Sequence, residues 1–442
     1  MITRTGDAGG ITDRLGGAHP IRAGLRWGLL YGPVTTGVLA AAVALPHAGD
    51  SGGTGVTRAW LLSGYAIALG VGVVIFGRAI DWWGVRTCLT LGSAYMLVGA
   101  AVCLAVDDPY ALLAGRVVLA VGSAAVVPAV MSMTAGLGPA EGSRAAATVA
   151  AMVALWAAVS PVLGGVVTEL VGWRAALVLP VLSVVVVPVV IGDDRGRVRR
   201  REGRVDGIGA LLLAVCAAAG LGVLHARLVT PAVVTALAVV AACSGAGLWW
   251  WVRHRRDAVI PVGLVDALVV RVAVVAGCVY GGLFGGGTVV AQELADRGLD
   301  PMAAGAAFVP GAIIGAVLVR QRWWAFDWEI LLAVLLVTLA GVQIAAVVLG
   351  PGLVVLVATA GGAFLTLSAG QMVITALLNA VRPAVRGGVA GLVYLGAFAG
   401  GAAGTAVVAA SRDAAQGFVC LAVIALIGAI GAFDGQRWQR QR

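Results

Sequence analysis

Fourteen runs of mostly apolar residues follow one another along this chain, each about the 20 residues an α-helix needs to cross a hydrocarbon core. They read as 25–46, 58–77, 86–106, 109–137, 143–168, 171–191, 207–226, 231–252, 267–291, 301–320, 328–350, 352–379, 386–410 and 414–433. Short charged or turn-rich breaks separate them, the briefest at Glu169–Gly172 and Gly350–Gly352. Composition points the same way: 60% of the residues are hydrophobic and 12% charged, against roughly 25% charged in a soluble domain. The chain therefore reads as an all-α integral membrane protein. The first 20 residues are polar and glycine-rich and lead straight into the first run, so no signal peptide is expected.

The charges then give orientation. All 30 basic residues are arginine. With the N-terminus placed in the cytoplasm, 24 of them fall at inward ends and tails, including six within 195–204. Five fall at outward ends (Arg58, Arg174, Arg227, Arg297 and Arg412), and Arg116 alone lies inside the membrane. Such a bias predicts both termini inside and an even number of crossings. It also assigns the net charge of +9 to topology and contact with anionic membrane lipid, not to nucleic acid.

Several chemistries are excluded. Without lysine there is no phosphate-binding loop of the G-x-x-x-x-G-K type, no Schiff base and no Ser-x-x-Lys nucleophile. Gly285-Gly-Gly-Thr288 lies inside a span and is read as packing or a kink. The six cysteines sit in apolar stretches without a C-x-x-C pair, and the four histidines are scattered, so neither metal nor cofactor is expected. A membrane enzyme would need a polar catalytic cluster and a sizeable water-exposed loop, and neither is evident. No enzyme activity is expected.

The runs divide as a 25–191 bundle of six, a 207–252 insert of two and a 267–433 bundle of six. Basic linkers at 192–206 and 253–266 separate them, and the tails are 1–24 and 434–442. Two equal bundles suggest a duplicated transporter with its site between the halves. Gly77-Arg-Ala-Ile-Asp81-Trp-Trp-Gly84-Val-Arg86 follows the second run and resembles the cytoplasmic signature loop of the major facilitator superfamily. Its glycines permit a tight turn, and its carboxylate can cap a helix start near Gly387 and Gly388. Trp82 stands where that family usually has a base. Arg116 to Gly122 resembles the family's fourth-helix element, and Ser160-Pro161-Val-Leu-Gly164-Gly165 its antiporter motif. There, proline kinks the span and paired glycines allow close, slippable helix contact. The two-helix insert, Gln292 before Ala303 to Pro310, Trp60 with Tyr65, and Ala44-Leu-Pro46 resemble the fourteen-helix drug:proton antiporter family. The resemblance implies the major facilitator fold and proton-coupled export of drugs or antibiotics by alternating access. It also implies a plasma-membrane protein, expected to act as a monomer.

The pattern breaks at one place. Where that family usually has an aspartate and an asparagine in the first helix, this chain has Gly37 and Ala42, and no Asp or Glu falls near the midpoint of any span. Proton exchange normally uses an embedded carboxyl. Arg116 is left as the deepest charge, with backbone carbonyls, the hydroxyls of Thr35, Thr36 or Ser132, water or an anionic cargo as candidate partners. As a coupling or substrate charge it would favour anionic or lipid-like cargo and an uncoupled facilitator. A transporter-like sensor that moves nothing is the remaining alternative. Tyr31, Thr35, Thr36, Trp156, Tyr280, Gln343, Gln371, Asn379 and Tyr394 are polar or amphipathic within spans and are the candidates to face a central cavity.

Overall fold

The computed structural model describes residues 20–52, 54–137, 139–193, 206–228, 230–255, 258–260, 263, 265–320, 327–381 and 383–439. Regular structure among them is helical. The first part of the chain forms α1 (Pro20–Tyr31), α2 (Thr36–Ala44), α3 (Gly55–Ala105), α4 (Pro109–Ala124), α5 (Val126–Ala135), α6 (Pro139–Leu170), α7 (Trp173–Leu177) and α8 (Ser183–Asp193). Two helices follow, α9 (Gly207–Leu224) and α10 (Pro231–His254). The remainder forms α11 (Ala267–Asp296), α12 (Pro301–Ala306), α13 (Val309–Arg320), α14 (Trp328–Leu349), α15 (Leu353–Ala380), α16 (Pro383–Ala409) and α17 (Ala414–Gln439).

Helix starts follow from local chemistry. Asp108 and Asp300 each precede a proline and accept the backbone N–H three residues on, from Ala111 at 2.8 Å and Ala303 at 2.6 Å. Proline suits the first helical position because its missing N–H would lack an intrahelical partner there anyway. Turns fall where the sequence supplies glycine. Gly84, Gly172, Gly298 and Gly350 adopt positive φ of 80°, 120°, 78° and 84°, which only glycine reaches without strain. Both of the shortest breaks between runs are thus real turns.

Eleven helices among the described residues are long and apolar enough to cross a membrane, against fourteen runs in the sequence. The difference lies in three places. The 51-residue α3 holds two runs and turns between them at Gly84. The runs at 171–191 and 301–320 are broken, leaving the shorter apolar helices Leu179–Gly192 and Pro301–Gly315.

Packing places α1 and α2 on α6 and α3 on α4, while later in the chain α11 packs on α16 and α14 on α17. The two groups meet where α3 touches α16, α6 touches α12 and α13, and α2 touches α11. The extra pair sits beside the first of these seams. Helix α9 contacts both α3 and α16, with Leu213 against Val71 and Val74, and α10 packs chiefly on α9. One carboxylate clamps the base of the pair: Asp206 accepts from Gly209 N, Trp251 Nε1 and Val259 N, each at 2.9 Å. At the far end the buried His225 ring stacks on Trp60 of α3, 4.6 Å between centroids.

Candidate functional site

A cavity lies between the two helix groups, with about 1540 Å³ of empty space inside its walls, open solvent at the mouth included. Both groups contribute: α1, α2, α3, α5 and α6 on one side, α11, α13, α15 and α16 on the other. Its walls reach Thr134 and Ala146 on one side and Thr375 and Leu378 on the other. Those residues flank the turns nearest Pro20 and Pro383, so the cavity extends from mid-bundle toward the arginine-rich end.

The walls are mostly aliphatic, and aromatic side chains supply much of their polarity. Tyr31, Tyr65, Tyr280 and Tyr394 account for four of the six tyrosines in the chain. Gln371 Nε2 donates to Tyr280 Oη at 2.8 Å. Tyr31 and Tyr394, from opposite groups, both present hydroxyls to the cavity. Tyr280 meets Phe284 and Phe398 edge to face, with centroids 5.5 and 5.4 Å apart. Thr35, Thr134, Ser368 and Thr375 complete the polar lining, each hydroxyl donating to a carbonyl three or four residues earlier in the chain.

Five of the nine cavity candidates therefore line it: Tyr31, Thr35, Tyr280, Gln371 and Tyr394. Three do not. The Thr36 hydroxyl turns back onto Pro33 O at 2.7 Å. Trp156 packs against Gly32, in the crossing of α6 with the start of the first run. Gln343 is fully buried in α14 with neither amide atom hydrogen-bonded among the described residues. Thr36 and Trp156 lie beside lining residues of their helices without lining the cavity, and α14 lines none of it; periodicity cannot resolve this in helices apolar all round. The Asn379 side chain lies outside the described residues. The sequence marks Tyr65 only as part of the family resemblance, and Thr134, Ser368 and the phenylalanines not at all, since a hydroxyl or ring in an apolar run gives no sign of the face it occupies.

Arg116 is fully buried but does not line the cavity. It sits behind Tyr65, its guanidinium carbon 4.2 Å from the ring centre. Nη1 donates to Leu177 O at 2.7 Å, Nε to Leu61 O at 3.4 Å, and Nη2 to Gly37 O. Of the partners open to it in the sequence, backbone carbonyls are the ones it takes. Gly37 presents its carbonyl to Arg116, and a Cβ built there would overlap the Tyr65 ring. The aromatic ring thus occupies the room an acidic side chain would need.

The end opposite the arginines is closed by backbone contact. A Cβ on Gly165 would overlap the carbonyl of Pro301 at the start of α12, and one on Gly305 the carbonyl of Pro161. A Cβ on Gly164 would stand 2.6 Å from Ala40 of α2. The Pro161 to Gly165 motif therefore brings α6 into direct contact with both groups, while the Ser160 hydroxyl is buried without a partner among the described residues. His47 adds a bridge, its Nε2 3.2 Å from Leu299 O. Beyond this closure a second, charged crevice carries Arg58, Gln292, Glu293, Asp296, Arg412 and Asp413.

In the signature loop, Gly84 makes the turn, Gly77 passes 3.9 Å from Pro128 at its Cβ position, and Arg86 is exposed. Arg78 pairs with Asp81 at 3.8 Å and lies 5.3 Å from the ring centre of Trp82, so it brings a base to the departure at Trp82. Helices α3 and α16 run antiparallel, with Gly70 facing Phe398 and Val74 facing Gly391. That register carries Asp81 toward the start of α16, where the side chains of 382–386 lie outside the described residues.

A helical bundle in two groups, with a closed end, an open end and a cavity shared between them, defines a membrane transporter, not an enzyme. The chain matches the Major Facilitator Superfamily over residues 28–405 and belongs to it. Among curated proteins it is similar to multidrug resistance protein 3 of Bacillus subtilis (strain 168), 21% identical over 159 residues. That match covers 36% of this chain and about a third (31%) of the relative's length. Among solved structures it is similar to a POT family transporter in complex with a thioalcohol-conjugated peptide, with a TM-score of 0.68 at 12% identity, over 92% of this chain and 94% of that one. An auto-inhibited POT family peptide transporter gives 0.60 at 16% identity, over 95% and 96%. At these identities the likeness is one of fold.

Proposed function

We propose that the protein is a secondary exporter of small amphipathic compounds, drugs or antibiotics among them, working by alternating access in the plasma membrane. One observation carries this reading: a cavity walled by both helix groups reaches one end while glycine-to-backbone contacts close the other. In this reading all fourteen runs cross the membrane, as two six-helix bundles and an insert, with both termini cytoplasmic. The structure is then the inward-open state, and the charged crevice marks the exit side. Partial likeness to a multidrug resistance protein supports drug efflux as the cargo class.

Proton coupling is the usual arrangement in the drug:proton antiporter family, yet no Asp or Glu lines the cavity among the described residues. That observation favours a second reading, an uncoupled facilitator with the same cargo. Arg116 acts in both as a brace between helices, not as a gate for protons. Transport by proteoliposomes under an imposed pH gradient separates the two. Uptake driven by the gradient supports the antiporter, movement only down the cargo's own gradient supports the facilitator, and no movement of any cargo sinks both.

A further inference from the structure

We infer that the central cavity selects uncharged, flat aromatic molecules bearing carbonyl or hydroxyl groups, takes anions less well and rejects cations. The inference rests on the reading of the cavity as the cargo site. No Asp, Glu, Arg or His side chain lines it among the described residues. A buried charge beside it is Arg116, held behind Tyr65 by three neutral carbonyls. No carboxylate pairs with it among the described residues, so no counter-charge cancels its field.

Magnitudes decide the ranking. Tyr65 is itself fully buried, so cargo in van der Waals contact beyond its ring, about 3.5–4 Å away, lies about 8 Å from the guanidinium. At an effective dielectric of about 20, a unit charge there changes the binding constant about thirtyfold, against a cation and in favour of an anion. Stripping water from either ion, with no charged partner in the walls, costs about a hundredfold or more. For a cation the two effects add. For an anion they oppose, and desolvation is the larger. A cation–π contact with a desolvated cation returns about thirtyfold, which offsets the repulsion from Arg116 but not the desolvation cost as well.

The polar groups specify the rest. Tyr280 Oη accepts from Gln371, which leaves its own hydrogen free for a cargo carbonyl. The amide oxygen of Gln371 is left to accept from a cargo hydroxyl. Phe284, Phe364 and Phe398 supply apolar surface for the rings.

Three ring-matched fluorescent probes test the ranking: neutral N-methylacridone, cationic N-methylacridinium and anionic anthracene carboxylate. Each is titrated into full-length protein in lipid nanodiscs, with protein-free nanodiscs subtracted. N-methylacridone should bind at least about threefold more tightly than the anion, and the anion more tightly than the cation. Placing an acid in the wall, by Thr35→Asp or by Ser368→Asp should the first not fold, should raise affinity for N-methylacridinium at least about tenfold. Cation binding as tight as that of the neutral ring overturns the proposal and leaves the cavity as the cargo site. Tightest binding by the anion overturns it too, and makes Arg116 an attractor of cargo. Binding of none of the three counts against the cavity itself.

Discussion

Both halves of the chain pack helices through glycine, Gly92 and Gly99 against Gly122 and Gly115 in the first, but the first adds a buried guanidinium that has no counterpart in the second among the described residues. In the first, one side chain on α4 reaches the backbone of α2, α3 and α7, through the bonds of Arg116 to Gly37, Leu61 and Leu177. In the second, α11 and α16 meet backbone to backbone, with Gly277, Gly281 and Gly285 set against Gly396, Gly400 and Gly404. The buried amide there, Gln343, holds nothing among the described residues. A guanidinium bonded to three carbonyls fixes the register of four helices, because its donors point in set directions. A glycine seam is held by close contact alone, which has no preferred register beyond shape.

The first way to break this comparison is at the brace. Arg116→Leu should cost about 3–5 kcal/mol, since charge-assisted hydrogen bonds contribute about 1.5–3 kcal/mol each and a void is left behind. Arg116→Lys should recover less than half, because an ammonium cannot span three carbonyls. Thermal unfolding in nanodiscs reads both, and full recovery by lysine would show that charge alone, not the fork of donors, sets the register. Next comes the seam. A Cβ at Gly400 would overlap the Gly277 backbone, so Gly400→Leu should cost about 1–3 kcal/mol by forcing the helices apart.

A smaller effect on stability, with a larger one on transport, is expected between the halves. Gly165→Val places side-chain atoms where Pro301 must sit in the closed state. Stability should change by about 1 kcal/mol while export falls by about tenfold or more, because the outer closure cannot form. Equal loss of both would mark Gly165 as an ordinary packing residue. The least effect should come from Gln343→Leu. Replacing a buried amide that has no partner should be neutral or stabilise by about 1 kcal/mol. A loss of several kcal/mol there would show that Gln343 bonds to water, adding to the ties of Gln371 with Tyr280 and Arg271 with Glu329.

Much of the fold was legible because membrane physics leaves few choices. Run length, glycine at Gly84, Gly172 and Gly350, and Asp108-Pro109 or Asp300-Pro301 at helix starts are local signals, read without knowing any neighbour. The site was legible only in part. Tyr31, Tyr280, Gln371 and Tyr394 stand out as amphipathic residues in apolar runs and do line the cavity. Trp156, Thr36 and Gln343 stand out equally and do not. A span that is apolar all round carries no moment to say which face meets cargo, which meets protein and which meets lipid.

Arg116 shows the division most plainly. The sequence alone determined that one arginine lies deep in a membrane bundle with no acid near it, and that the first helix has glycine at position 37. Those statements need only the order of residues and the thickness of a bilayer. Only the tertiary structure decided that the guanidinium sits behind Tyr65 and bonds to carbonyls from three other helices, outside the cavity. The reason is that its partners are backbone atoms, up to 79 residues away along the chain. Every residue carries a carbonyl, so composition cannot mark which ones converge; only helix packing brings Gly37, Leu61 and Leu177 to one point.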